Sequence, residues 1–209
     1  MSIPYEASGR VEQKSRTRAA LVVAAREMVS RGLAPTVAEA ADAAAVSRTT
    51  AYRYFPNQRS LLAAAHPETG AESMLGEDPP SDAASRLDEV VRRFTTMILE
   101  TEAQQRTMLR LSLEDDPEDR GGQPLRQGRA IGWITEALEP LREQLSDDEL
   151  RRLVLAIRSA IGIEALVWLT DIGGLSRDAA VELMRWSAQS MLQAALSTGT
   201  PGSKALRKP

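Results

Sequence analysis

The sequence predicts an all-α protein of about nine helices. Apolar residues make up 43% of the 209 residues, and the 26% that are charged include both signs, a balance typical of soluble globular chains. Aromatic residues account for only 4%, and Ala and Leu replace the clusters of Val, Ile, Thr and Tyr that favour strands. Along most of the chain the apolar residues recur every three or four positions, which is the period of a helix with one buried face.

Four of the predicted helices lie in the first 65 residues, and each has a boundary signal. Gly32 is placed to end the first, and Thr36 with Glu39 forms a capping box that starts the second. Ser47 is a favourable N-cap for the third, and Pro56 separates the third from the fourth. The four predicted helices span residues 16–31, 37–44, 47–55 and 57–65.

A proline-rich and acidic segment from His66 to Asp82 marks the predicted domain boundary. Five further amphipathic segments follow it, at residues 83–103, 105–113, 125–145, 147–170 and 177–196. The predicted organisation is a disordered arm at 1–9, a small helical domain at 10–65, a larger helical domain at 66–198 and a flexible tail at 199–209.

Charge is distributed unevenly between these predicted domains. The whole chain carries a net charge of −3, which by itself argues against a polyanionic partner. Residues 1–65, however, contain nine Lys and Arg against five Asp and Glu, so a basic N-terminal domain precedes an acidic remainder. This asymmetry is a weak indication of a polyanion-binding module.

The second and third predicted helices have the spacing of a helix-turn-helix, whose second helix enters the major groove of DNA. Ala51 and Phe55 are four residues apart and are predicted to face inward. The opposite side of the third helix carries Arg48, Thr49, Tyr52 and Arg53, whose side chains can bind base edges and phosphates. The alternative interpretation is an ordinary solvated helix surface.

The stretch TVAEAADAAAVSRTTAYRYFPNQRSLL, Thr36 to Leu62, resembles the DNA-binding domain of TetR-family repressors, and KSRTRAALVVAAREMVSRG before it resembles that family's first helix. The resemblance covers about a quarter of the chain. It implies base contacts from Arg48, Thr49 and Thr50, and phosphate or sugar contacts from Tyr52, Tyr54 and Thr36. Arg16 in the basic lead-in and Arg59 complete the predicted DNA-binding set.

This sequence departs from the family pattern mainly in residue size. Ala40 and Ala51 stand where larger aliphatic residues are usual, and Ala45 stands where the turn often has glycine. A positive φ at Ala45 would cost about 1 kcal/mol relative to glycine. Gln58 replaces a lysine that often contacts phosphate, and Arg59 beside it is the predicted substitute.

For the remainder of the chain the resemblance implies a ligand chamber and a four-helix dimer interface. Large or pliable side chains on the middle helices, together with one carboxylate in an apolar run, are the candidates for the ligand chamber. They are Met97, Met108, Trp133, Ile134, Glu164 and Trp168. The predicted interface residues are Ile157, Ile161, Ala165, Leu183, Trp186 and Met191. For most of these residues, a place in the protein core is the alternative. The predicted partners are therefore double-stranded operator DNA, a second copy of the chain and an unidentified small-molecule inducer.

Enzyme function is the less favoured alternative, and a helical adaptor is a third. The chain has one histidine, no cysteine, no P-loop and no dinucleotide-binding glycine motif. His66 directly precedes Pro67 and is predicted to be a helix-end residue. The acidic segment from Glu114 to Asp119 lacks the ligand order of a calcium loop, so neither a metal nor a cofactor is predicted. Without an apolar leader or a run of about 18 apolar residues, the chain is expected to be cytoplasmic.

Overall fold

The computed structural model describes residues 5–66, 72–113 and 128–201, with side chains from Glu12 onward. Within these residues the protein is helical and has no strand, which confirms the predicted all-α class. The helices are α1 (Tyr5–Ser30), α2 (Val37–Ala43), α3 (Arg48–Tyr54), α4 (Gln58–Ala65), α5 (Ala83–Glu100), α6 (Glu102–Leu113), α7 (Arg129–Ala137), α8 (Asp147–Ala160), α9 (Ile163–Val167) and α10 (Arg177–Thr198).

The helices depart most from the sequence prediction at three places. The first helix begins at Tyr5, inside the segment expected to be a disordered arm, where no apolar period could reveal a helix. The helix predicted over 125–145 ends at Ala137, and a 3-10 turn follows at Glu139–Leu141, since Pro140 cannot donate the next helical hydrogen bond. The helix predicted over 147–170 is interrupted between α8 and α9. If α8 and α9 are counted as one interrupted helix, the described residues contain the nine helices predicted.

The contacts divide the chain into two compact units. The first comprises Met1–Thr69 with Ala103–Gln127, and thus includes α6 beside α1 to α4. The second comprises Gly70–Glu102 with Gly128–Pro209, and contains α5 and α7 to α10. The boundary predicted at residue 66 stays a prediction, since contacts alone do not show which segment folds independently.

The first unit has a core of mostly small side chains. Ten buried residues from four helices form its main cluster: Leu21, Val22, Ala25, Val37, Ala40, Ala41, Ala51, Phe55, Leu61 and Ala65. Phe55 is the largest of them and is only 3% exposed. A second cluster joins Met108 of α6 to Val29 of α1 and Leu62 of α4. These contacts fix α3 to a helical support on its inner side.

An aromatic pair and an ion pair join helices of the second unit, whose core is apolar. The rings of Phe94 in α5 and Trp133 in α7 meet edge to face with their centroids 5.7 Å apart. The guanidinium of Arg185 in α10 donates three hydrogen bonds of 2.9–3.2 Å to the carboxylate of Asp88 in α5. These hydrogen bonds give both the carboxylate and the guanidinium, which are partly buried, a polar partner.

Among the described residues, one helical stretch, Asp147–Ile172, is long and apolar enough to cross a membrane by length and composition. This is weak evidence of a membrane span, because a core helix of a soluble protein has the same properties. The fully buried Ile157 and Ile161 show that this stretch contributes to the core of the second unit.

Candidate nucleic-acid interface

Helices α2 and α3 form a helix-turn-helix, and the turn between them depends on one residue with unusual backbone geometry. Ala45 has a φ of +53°, a region that residues with a Cβ rarely occupy. The next residue, Val46, donates its amide to the carbonyl of Ala41 at 2.9 Å, which closes the turn back onto α2. The positive φ considered for this alanine on sequence grounds is confirmed.

Replacing Ala45 by Gly should therefore stabilise the protein by about 0.5–1 kcal/mol. Glycine removes the strain of the left-handed backbone, and this gain exceeds the additional conformational entropy that glycine loses on folding. The measurement is the free energy of unfolding in urea. Ala44→Gly is the matched control: Ala44 has a φ of −85°, so glycine there should destabilise by a similar amount. If both variants changed stability in the same direction, the argument from backbone strain would be wrong.

The start of α2 is fixed by the predicted capping box. The amide of Glu39 donates to Thr36 Oγ1 at 3.2 Å, and the Glu39 carboxylate accepts from the Thr36 amide at 2.7 Å and from its hydroxyl at 2.8 Å. These hydrogen bonds hold the pKa of Glu39 below its usual value. The hydroxyl of Thr36, a predicted phosphate contact, is thus engaged within the protein.

Helix α3 has the two faces that the sequence predicts. Ala51 is fully buried. The Arg18 guanidinium lies over the ring of Phe55, with its Cζ atom 5.3 Å from the ring centroid. The opposite side is exposed, and Tyr52 keeps 48% of its surface accessible. Since Ser47 Oγ accepts the amide of Thr50 at 3.3 Å, the N-cap at the beginning of the helix is also as predicted.

The eight predicted DNA-binding residues differ in exposure. Arg16, Thr36, Arg48, Thr49 and Tyr52 are exposed. Thr50, Tyr54 and Arg59 are half-buried. The Thr50 hydroxyl lies 2.8 Å from that of Ser47, and the Tyr54 side chain packs against the core of the first unit. Arg48, Thr49 and Tyr52 therefore supply the accessible part of α3, and Thr50 and Tyr54 also have structural contacts.

Sequence reasoning missed two side-chain contacts within this unit. Arg48 forms an ion pair with Asp42 of α2, with Nη2 and Oδ2 2.8 Å apart. Gln58 Nε2 donates to the carbonyl oxygens of Ala34, at 2.8 Å, and Pro35, at 3.2 Å, and so ties the start of α4 to the loop before α2. Neither spacing has a regular helical period, so no periodic signal could have revealed these contacts.

The ion pair also changes the acid-base properties of its partners. The Arg48 hydrogen bonds lower the pKa of Asp42, and the Asp42 carboxylate raises the pKa of Arg48. The stability that the ion pair gives the folded protein is fully present above the ordinary carboxyl pKa. It is lost as the pH falls through the lowered pKa of Asp42. At neutral pH both side chains are charged.

Residues 20–65 match the family model of bacterial regulatory proteins, tetR family. This segment is therefore a DNA-binding domain of the tetR-family type. The fold of a TetR transcriptional regulator from Rhodococcus sp. RHA1 is similar, with a TM-score of 0.57 and 19% sequence identity over 85% of this chain and 97% of that one. No curated protein matches the sequence. The matched segment contains all of α2, α3 and α4, and DNA-binding transcription regulation is the function class of this family.

The candidate ligand residues have different surroundings. Met108 is buried in the first unit; in the second, Trp133 and Ile134 are buried, and Trp133 Nε1 donates to the carbonyl of Glu72 at 3.2 Å. Met97 is half-buried. Glu164 forms an ion pair with Arg158 at 3.4 Å, and Trp168 is 59% exposed. A groove of about 350 Å³ in the second unit lies instead between α7 and α8.

The candidate interface residues fall into two groups. Ile157 and Ile161 are fully buried within the chain, so they cannot reach a partner without rearrangement. Leu183 and Trp186 are exposed, and Ala165 and Met191 are half-buried. Trp168, predicted for the ligand chamber, lines a groove of about 270 Å³ together with Ala165 and Leu183.

The acidic segment from Glu114 to Asp119 lies outside the described residues.

Proposed function

We propose that the chain is a homodimeric, ligand-responsive transcription factor, a repressor in the simplest case, that binds a palindromic operator through α3. The exposed polar face of α3 carries this proposal: Arg48, Thr49 and Tyr52 project from a helix whose other side is anchored by Ala51 and Phe55. A rigidly supported helix with such a face can enter a major groove.

The chemistry of that face suits DNA. An Arg guanidinium donates two hydrogen bonds to guanine, a Thr hydroxyl pairs with several base edges while its methyl meets that of thymine, and a Tyr hydroxyl reaches phosphate. The excess of Lys and Arg over Asp and Glu in residues 1–65 adds attraction to the phosphate backbone.

A second copy of the chain is the proposed partner of the apolar face, defined as Trp168, Leu183 and Trp186. Trp186 is 66% exposed and Trp168 is 59% exposed, and such exposure of large apolar side chains is unusual for a protein that stays monomeric. Leu183 and Trp186 are three residues apart on α10, which places them on one side of the helix. A dimer also brings two recognition helices to two half-sites about 34 Å apart, which one seven-residue helix cannot do.

The groove between α7 and α8 is the proposed place for a small ligand. Its volume of about 350 Å³ lies within the range of ligand pockets. Apolar side chains from both helices line it, and Arg142, Arg151 and Asp147 supply the charges. An inducer bound there releases operator DNA only if it favours a conformer with misplaced recognition helices, because equal affinity for both conformers shifts no equilibrium.

An enzyme and an adaptor are the competing functions. No group of three or more His, Cys, Asp or Glu side chains that could hold a metal is found in the part of the chain that the structure describes. The family is generally not enzymatic, and neither competing function accounts for the exposed polar face of α3. Acting on DNA, the protein would work in the cytoplasm.

Replacing Arg48 by Ala tests the proposed reading of DNA. The variant should lose about 1–3 kcal/mol of specific binding and much less of non-specific binding, because a lost base contact affects only the correct sequence. The measurement is fluorescence anisotropy with operator and scrambled duplexes over a series of salt concentrations, where affinity should fall steeply as salt rises.

Arg31→Ala is the control, since it removes the same charge from an exposed position of the first unit outside the helix-turn-helix. It should leave the ratio of specific to non-specific affinity unchanged. Equal losses on both duplexes in Arg48→Ala would show that Arg48 reads only the DNA backbone.

A further inference from the structure

The guanidinium of Arg48 is already held in the free protein by a residue of the other helix of the motif. Asp42 lies on α2, and its carboxylate accepts two hydrogen bonds across the turn: from Arg48 Nη2 to Oδ2 at 2.8 Å and from Nε to Oδ1 at 3.4 Å. Both side chains are well exposed, with 65% of Arg48 and 59% of Asp42 accessible. An ion pair this exposed adds little stability.

The geometry of the pair decides what Arg48 can still do. Nε and Nη2 form the side edge of the guanidinium, and this edge faces Asp42. The end of the fork, made by Nη1 and the second hydrogen of Nη2, has no partner among the described residues. This end can donate two parallel hydrogen bonds, the arrangement with which Arg binds O6 and N7 of guanine.

We propose that Asp42 is a specificity-determining residue that positions Arg48 to read a guanine in each half-site. This inference rests on the proposed function and adds to it a residue that does not itself touch a base. By ordering the long Arg48 side chain before DNA arrives, Asp42 removes part of the entropy cost of the guanine contact. Its negative charge also repels phosphates, which weakens binding to all DNA alike and leaves the ratio of specific to non-specific affinity unchanged.

The opposite role would be competition, in which Asp42 withholds Arg48 from DNA. The two roles predict different changes in one ratio, that of the affinities for the correct duplex and for the duplex in which the base pair read by Arg48 is substituted. If Asp42 positions Arg48, its removal lowers discrimination at the base pair that Arg48 reads. If Asp42 competes with guanine, its removal leaves discrimination unchanged or raises it.

The test uses the duplex that the wild-type protein selects from a random pool, and the same duplex with the base pair read by Arg48 substituted. That base pair is the one at which Arg48→Ala loses discrimination. Affinities for both duplexes are measured for the wild type, Asp42→Ala and Asp42→Asn, and circular dichroism confirms that each variant is folded. The ratio of the two affinities should fall about 2- to 13-fold in Asp42→Ala, the cost of ordering one long side chain.

Asp42→Asn should lose less, because one amide oxygen still accepts from Arg48. In an Arg48→Ala background, Asp42→Ala should leave the ratio unchanged, since the two residues act through one contact. Glu27→Ala is the charge control: it removes an exposed acid of α1, and should tighten binding to both duplexes without changing their ratio.

An unchanged or increased ratio in Asp42→Ala would overturn this inference and leave the proposed function intact. A wild-type protein that selects no sequence would overturn the proposed function, and the inference with it. If Arg48→Ala loses discrimination at no base pair, Arg48 is not a base reader and the inference is also wrong.

Discussion

Replacing Trp186 by Glu is expected to dissociate the proposed dimer. Trp186 is 66% exposed in the single chain, and at a two-fold interface it would be buried together with its symmetry mate. Two carboxylates placed there would lose their hydration and repel one another. Since a central aromatic residue contributes at least about 2 kcal/mol, the dimer dissociation constant should rise at least about 30-fold.

Sedimentation velocity over a range of protein concentrations measures this effect. Val23→Glu is the control, because Val23 is also an exposed apolar residue, at 52%, but lies on α1 in the other unit. It should leave the dimer intact. If Trp186→Glu sedimented as the wild type does, Trp186 would not belong to the dimer interface. Monomeric Trp186→Glu should also bind a full operator much more weakly than the wild type, since a single half-site offers half of the contacts.

Replacing Phe55 by Ala is expected to destabilise the first unit by about 3–5 kcal/mol, the usual cost of deleting a buried aromatic ring. Phe55 is 3% exposed, and the buried cluster to which it belongs also contains Ala40, Ala41 and Ala51, whose side chains are too short to fill the cavity. Arg18 loses its aromatic partner as well. Urea denaturation followed by circular dichroism measures the loss.

Tyr52→Ala is the control for Phe55→Ala, because Tyr52 lies on the exposed side of the same helix. Its effect on stability should stay within about 0.5 kcal/mol, although it should weaken DNA binding. Comparable losses of stability in the two variants would mean that the inner and outer faces of α3 are assigned incorrectly.

The helix-turn-helix could be predicted from the sequence because its signals are local. The capping box at Thr36 and Glu39, the N-cap at Ser47 and the proline at residue 56 each act within one helical turn, and the structure has a helix boundary at each of them. The inward position of Ala51 follows from helical geometry, and Phe55, the C-cap of α3, is buried as well.

What the sequence could not predict depends on tertiary packing. A tryptophan in an amphipathic helix belongs equally well to a core, a ligand chamber or an interface, and Trp133 is buried whereas Trp168 and Trp186 are exposed. The residues that line the groove between α7 and α8 come from two helices whose register no local pattern determines. The contact between Asp42 and Arg48 depends in the same way on the angle between α2 and α3.

The claim that α3 reads a palindrome as part of a dimer can be tested by selecting bound duplexes from a random DNA pool with the purified protein. The proposed function predicts enrichment of an inverted repeat whose half-sites lie about one helical turn apart, or a multiple of it, centre to centre. Each half-site should contain a guanine that Arg48→Ala no longer distinguishes. Selection of no common sequence, with and without added metabolites, would contradict the claim and favour the adaptor or enzyme function.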